Sequence, residues 1–545
     1  RTGFEPPWDV GPNRSLRLEA LDRESLEALV AHAAPALGSR QTARIAARAD
    51  GVPLFAEELA RQFAHGTVTA VPASLQDLLA VRLDAQGEAK ALAEAAAVIG
   101  RSFDERLLAA VAGIGDEAVR AGLARLQEAG LVAGDGRGGW QFRHALIRDA
   151  AYEAQTRDLR ALRHQRAVVA LAEAPAPVPS ELLAQHHAAG GQARQAILCW
   201  TAAGLAASRH SAASEACHHF RAGLVLLPEV AAAERDRLEL EIQIGLGAAI
   251  GAAEGYGAPE AASAYARARQ LCERGQGQRP ELFPALWGLW ASASSTGGYA
   301  HALRLARRLH RLAGAGADPV HLQQARFALG NTLYWRGEFA AAYRHLAAAE
   351  SLYRLAHHQR HLAEFGEDGG VTVAAYLSWV LHAQGDVEAA LEAGERAVVL
   401  ARRLGHPFSL AYALTFAALL RCRRREPQPA LALAEEARSL AGRHGYGLWE
   451  TGGVLAQGWA LALQGRSEGE AAIRGCIEVT RAAMGGVGLL VLEALADACA
   501  ALGDADCARA VCRDALAQGQ QTEDHHADVL FRSLLAPSAG AEFTP

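Results

Sequence analysis

Apolar positions recur three and four residues apart along most of this chain, the period of helices with one buried face; strict alternation of apolar and polar residues shows only around Trp140 and Phe142. The first third reads as short helices with recognisable punctuation. Asp22 can cap a helix over 23–34, and Ser39 one that runs to Asp50. Gly51-Val52-Pro53 then ends one helix and starts the next, which carries a stripe of Leu54, Phe55, Leu59 and Phe63 and stops near Gly66. Ser74, with Asp77 three residues on, opens a helix over 74–84. Further helices are predicted over 88–99, 104–112 and 116–129, followed by Leu131-Val132, a glycine-rich turn over 134–139, and a strand from Trp140 that turns at His144 into an amphipathic helix bearing Leu146, Ile147, Ala150 and Ala151. Three helices and a β-hairpin in this order predict a winged helix.

Pro175, Pro177 and Pro179 mark a linker, beyond which only helices separated by short polar turns are predicted. The most regular unit spans 325–350, with Gly330, Ala342 and Ala349 small enough for two antiparallel helices to approach closely and Gly337 supplying the turn. The second-helix alanine recurs at Ala302, Ala342, Ala390, Ala430, Ala472 and Ala508, at spacings of 36 to 48 residues. Gly385-Asp386 and Gly503-Asp504 repeat the turn; Arg425-Glu426 replaces its glycine. Such hairpins bury their faces on their neighbours, so a right-handed α-solenoid with a concave groove is expected. Trp287, Trp290, Tyr334, Trp335, Tyr376 and Trp379 fall mostly on first helices, which would line that groove, and are candidates for holding a peptide or a small apolar effector.

A length of 545 residues demands more than one core. The net charge of −6 argues against wholesale binding to nucleic acid or anionic membranes. The predicted third helix of the winged helix balances Asp116, Glu117 and Glu128 against Arg120 and Arg125, a poor composition for reading a DNA groove. Apolar windows such as 371–380 and 410–420 fall short of a bilayer span. Eight cysteines without a Cys-x-x-Cys pair suit reduced thiols and a cytoplasmic location, with no structural zinc or disulfide framework. Lys90 is the only lysine and lies inside a helix, so the chain lacks a Walker A loop. Gly134-x-Gly136-x-x-Gly139 has dinucleotide-fingerprint spacing but opens no helix, and reads as a hairpin tip. The runs 304–311 and 421–425 are basic, and His357-His358 with His361, His186-His187, His218-His219 and His525-His526 read as solvated faces rather than metal ligands. No catalytic nucleophile or metal site is nominated, and the chain starts at Arg1, so a longer parent is expected.

Residues 325–350 resemble a tetratricopeptide repeat. Gly51-Val-Pro53-Leu-Phe-Ala-Glu-Glu58, Val71-Pro-Ala-Ser-Leu-Gln-Asp-Leu-Leu79, Ala97-Val-Ile-Gly100-Arg-Ser-Phe103 and Phe142-Arg143-His144-Ala-Leu-Ile-Arg148-Asp-Ala-Ala-Tyr152, in that order ahead of repeats, resemble the C-terminal part of bacterial STAND-type signalling ATPases. Some such proteins carry class III adenylate or guanylate cyclase domains, others a LuxR-type DNA-binding end. The resemblance implies a mainly α fold: a helical lid remnant at the end of an ATPase module (1–66), a winged helix (67–174), a linker (175–180), a tetratricopeptide-like α-solenoid (181–530) and a disordered tail (531–545). It also implies that Gly51 and Pro53 lie toward an adenine and that His144, beside Arg143, meets the phosphates of ADP, with ATP or ADP held only where an upstream P-loop is present. The implied function is a sensor region whose repeats bind a protein or small-molecule effector and pass the signal through the winged helix, with assembly on activation. The alternatives are a stand-alone interaction scaffold and, more remotely, the regulatory half of a nucleotide cyclase; no enzyme activity is expected of this chain itself.

Overall fold

The computed structural model describes residues 20–49, 51–64, 74–136, 138–274, 280–316, 318–484 and 487–536. Positions 1–19, the start of the Val71–Leu79 motif and positions 537–545 lie outside them. The chain divides after Val178 into two compact units, Ala189–Gly191 returning to the first.

In the first unit, helices Arg23–Ala33, Ser39–Ala49 and Pro53–Ala64 close on Leu26, Val30, Ile45, Phe55 and Leu59. Asp22 caps the first of these through the amide of Ser25, as its position predicts. Gly51 turns the chain with φ of +79°, and a Cβ there would stand 2.4 Å from that of Ala20, so only glycine fits. Ser74 and Asp77 form the expected capping box. The winged helix follows: helices Glu88–Ile99, Glu105–Ala112 and Asp116–Glu128, and a sheet in which the Trp140–Phe142 strand pairs antiparallel with Val132–Gly134 on one side and with Ser102–Phe103 on the other. That last strand, two residues long, carries no legible alternation; Phe103 earns its place by packing edge-on against Phe142. The glycine run is the tip of the hairpin, with Gly136 and Gly138 at positive φ.

In the second unit the described residues form eight helical hairpins, from Ala193–Arg209 with Ala213–Val225 to Leu489–Ala501 with Ala505–Thr522, together with helices Ser180–Ala189 and His358–Phe365. Helix Asp528–Leu535 closes the array and runs into the stretch expected as tail; Phe531, fully buried against Leu489 and Cys512, holds it there. Turn residues Gly337, Gly385 and Gly503 adopt the left-handed conformation, as does Arg425. Second helices are amphipathic, burying single stripes such as Ala342, Leu346 and Ala349; first helices such as Gly369–Ala383 and Pro407–Arg423 are buried nearly all round. They are covered on both sides because the array coils back on itself. The Tyr446 hydroxyl donates to the Ser211 carbonyl, and the His525 amide to that of Trp335. Among the described residues no helix is long and apolar enough to cross a membrane.

Candidate functional site

The six aromatic groove candidates are core residues. Trp287, Trp290, Tyr334, Tyr376 and Trp379 are buried and Trp335 is largely covered. Trp379 stacks on Phe416 at 4.0 Å, donates its indole N–H to the Phe416 carbonyl and has the Arg423 guanidinium 4.2 Å from its ring centre. Trp287 packs among Tyr256, Trp290 and Phe365, while the Trp335 N–H meets the Tyr376 hydroxyl. Coiling of the array fills what an open solenoid would leave as a groove. The legible sign was the absence of a polar face over 371–380, which marks a helix enclosed on every side.

The same burial claims residues expected at the surface. Arg423 forms a bidentate pair with Glu493 at 2.8 Å, while Arg425 stays exposed as expected and pairs with the buried Asp497. His526 lies between Glu493 and Asp524 at 3.1 and 2.6 Å. His361, His186 and His219 are likewise buried. Cys499 and Cys507, expected as free thiols, form a disulfide: the hairpin faces their helices with Cα atoms 5.9 Å apart, a proximity that spacing in the chain does not disclose.

An open concavity does exist, elsewhere in the same unit. Helix Ala193–Arg209 contributes Leu205 and Arg209, and Ser211 follows in the turn. Helix Ala232–Glu254 adds Ala249, helix His358–Phe365 adds Leu362, and His406, Phe408 and Tyr446 come from the starts of two later hairpins. The cleft is small and partly open to solvent, with a cavity volume of about 50 Å³. Its walls are mainly apolar, and Arg209 is the one charged residue among those that line it. Burial pushes the His406 imidazole down to about 4; its Nδ1 faces Ser409 Oγ at 2.9 Å, leaving Nε2 uncommitted to that contact. Burial raises the Tyr446 phenol, and Ser211 Oγ is buried without a hydrogen-bond partner. Behind the floor, burial holds the Glu367 carboxyl protonated up to about 8, with the Tyr256 hydroxyl 3.5 Å away. Arg209 at the rim is exposed. An apolar body with one or two hydrogen-bonding groups fits such a lining. Sequence reasoning missed the cleft because its walls come from segments up to 241 positions apart, Leu205 and Tyr446 among them.

The four residues implied by resemblance lie in the first unit. Gly51 and Pro53 make the turn into helix Pro53–Ala64, with Pro53 exposed at its first position. His144 is the N-cap of helix Ala145–Glu153, its Nδ1 accepting from the Leu146 amide at 3.2 Å; Arg143 beside it is exposed. Lys90 pairs with Asp84 at the surface.

No family model matches this chain. An uncharacterized protein of Rhizobium meliloti (strain 1021) is 26% identical over 439 residues, covering 76% of this chain and 42% of the relative, so the chain spans less than half the length of the curated relative it matches. Similar solved structures include a Signal Transduction ATPase with Numerous Domains protein with a tetratricopeptide repeat sensor from Pyrococcus horikoshii, at a TM-score of 0.49 and 12% identity over 95% of this chain and 74% of that one. Aspartyl phosphate phosphatase F from Bacillus subtilis is similar at a TM-score of 0.42 and 11% identity, over 74% and 96% of the two chains.

Proposed function

We propose that this chain is the effector-binding and regulatory region of a larger signalling protein, its helical repeats taking a small molecule or a peptide side chain in the cleft lined by Ser211, His406 and Tyr446. The observation that carries the reading is that cleft: an apolar concavity with the unpartnered Ser211 Oγ and a neutral imidazole at its wall. The greater length of the Rhizobium meliloti relative supports the existence of longer proteins of this kind. The test replaces Leu205, exposed at the cleft rim, with a photoreactive benzoylphenylalanine in the source cells, and Val479, exposed elsewhere in the array, as the control. A discrete adduct from position 205 alone is the expected result. No adduct, or the same adducts from both, would sink the reading.

The first unit, on this proposal, faces a nucleotide held by an upstream P-loop, with Gly51 and Pro53 toward the base and His144 and Arg143 toward the phosphates. Support comes from the cap. With Nδ1 committed to the Leu146 amide, a neutral His144 carries its proton on Nε2 and can donate it to an anion. Asparagine keeps an N-cap but shortens the reach. His144→Asn in the longer protein should therefore weaken ADP binding without lowering the melting temperature; equal ADP affinity in the variant would remove His144 from the phosphate side.

A further inference from the structure

We propose that Glu181, Glu215 and His219 form a zinc site that ties helix Ser180–Ala189 to helix Ala213–Val225. His219 Nε2 stands 3.6 Å from a Glu215 carboxylate oxygen and 4.0 Å from one of Glu181, and single donor atoms of the three lie within 4.8 Å of one another. These separations exceed hydrogen-bond reach. They approach the edge of a coordination tetrahedron, since ligands about 2.0–2.2 Å from zinc stand roughly 3.4 Å apart. Glu215 and His219 are four residues apart on one helix, hence one above the other on one face, and Glu181 comes from the facing helix.

Two further observations point to a cation. The His219 ring is buried and stacked on Trp200 at 5.3 Å, so its direction is fixed, with Nε2 toward the carboxylates and Nδ1 sealed without a hydrogen-bond partner. The carboxylates themselves lack a counter-charge. Several glutamates elsewhere on these first hairpins pair with arginine, as in Arg194–Glu234, Arg221–Glu260 and Arg267–Glu239, though Glu241 and Glu254 do not. Among the described residues no ion pair joins Glu181 or Glu215 to an arginine or lysine; both face only the imidazole. Two carboxylates and one imidazole suit zinc better than magnesium or calcium, which prefer all-oxygen shells. Both glutamates are half exposed, which leaves an entry path and a fourth position for water. The other cluster of comparable chemistry, Glu470 with Cys499 and Cys507, is a poorer cation site: its sulfurs are bonded to each other and the Arg474 guanidinium lies 3.3 Å from Cys507 Sγ.

Helix Ser180–Ala189 otherwise meets the hairpin through a small apolar contact of Ala184 with Ala196 and Trp200, so an ion would add a second attachment. The test is isothermal titration of the chelator-stripped chain with zinc chloride and, separately, magnesium chloride, with melting curves in parallel. Expected are one zinc ion per chain above any bound by thiols, a higher melting temperature with zinc, and no comparable response to magnesium. Glu181→Gln and Glu215→Gln change exposed groups and should melt like the unaltered chain without zinc, while losing roughly tenfold or more of the zinc affinity. Both variants keep every cysteine. Undiminished zinc binding in both would therefore assign the ion to thiols and overturn the proposal, as would no binding by the unaltered chain or an equal response to magnesium.

Discussion

Among the described residues three other than glycine hold a positive φ: Ser211 at 60°, Arg425 at 57° and Glu523 at 57°. Each costs on the order of 1 kcal/mol or more, which persists only where surroundings over-determine it. All three stand where distant segments meet: Ser211 receives the Tyr446 hydroxyl, Arg425 pairs with Asp497 and Glu523 pairs with Arg336. Glu367 stores cost of a different kind. Its folded-state value of about 8 exceeds the ordinary 4.5 because burial opposes ionisation, so the folded chain binds more protons than the unfolded one between those values. That stabilising share is complete below about pH 4.5 and is lost as pH rises through 8, at up to about 1.4 kcal/mol per pH unit. Glu367→Gln, which keeps a group for Tyr256 to bond, should match the unaltered chain in urea midpoint at pH 5 and exceed it increasingly toward pH 8. Parallel curves for the two proteins would show that Glu367 ionises freely.

At the scale of elements, the hairpin is set by small residues at two kinds of position. Gly330 lets the helices of its hairpin approach until a Cβ there would stand 2.5 Å from Leu346 Cγ and 3.2 Å from the Ala342 carbonyl, and the left-handed turn glycines such as Gly337 reverse the chain in the space of two or three residues. These features were legible because they depend only on neighbours in sequence. Of the recurring alanines, Ala302, Ala342, Ala390, Ala430 and Ala508 are buried and Ala472 is partly covered. The fate of the aromatic residues was not legible from the hairpin alone. A first helix looks inward in any solenoid, and whether it lines a groove or a packed core depends on how tightly successive hairpins coil, which is set by contacts between elements far apart in the chain. The cap at His144 is intermediate: the strand-to-helix change showed in the sequence, while the direction of its free nitrogen follows from the bond that Nδ1 makes to Leu146.

At the scale of the repeat unit, closure rests on a buried charged chain. Arg423 and His526 together hold the Glu493 carboxyl far below its ordinary range despite burial, and His526 also meets Asp524. Burial alone would lower the His526 imidazole, but the two carboxylates outweigh it and raise it to about 9. The sign is that of a group gaining partners on folding: its contribution is complete below about pH 6.5 and is lost as pH rises through 9. His526→Gln should therefore lower the melting temperature at pH 6 and flatten the fall in stability between pH 6.5 and 9; an unchanged slope would mean that His526 is neutral in the folded protein. The sequence by itself determined the class of this protein, for helical period, caps, turn glycines and the single strand alternation are properties of adjacent residues. It determined the winged-helix order and the hairpin units for the same reason. Only the tertiary structure decided which apolar residues are core, which histidines and arginines are buried, and where an open cleft remains, because each depends on segments separated by tens to hundreds of residues and brought together by the coiling of the array.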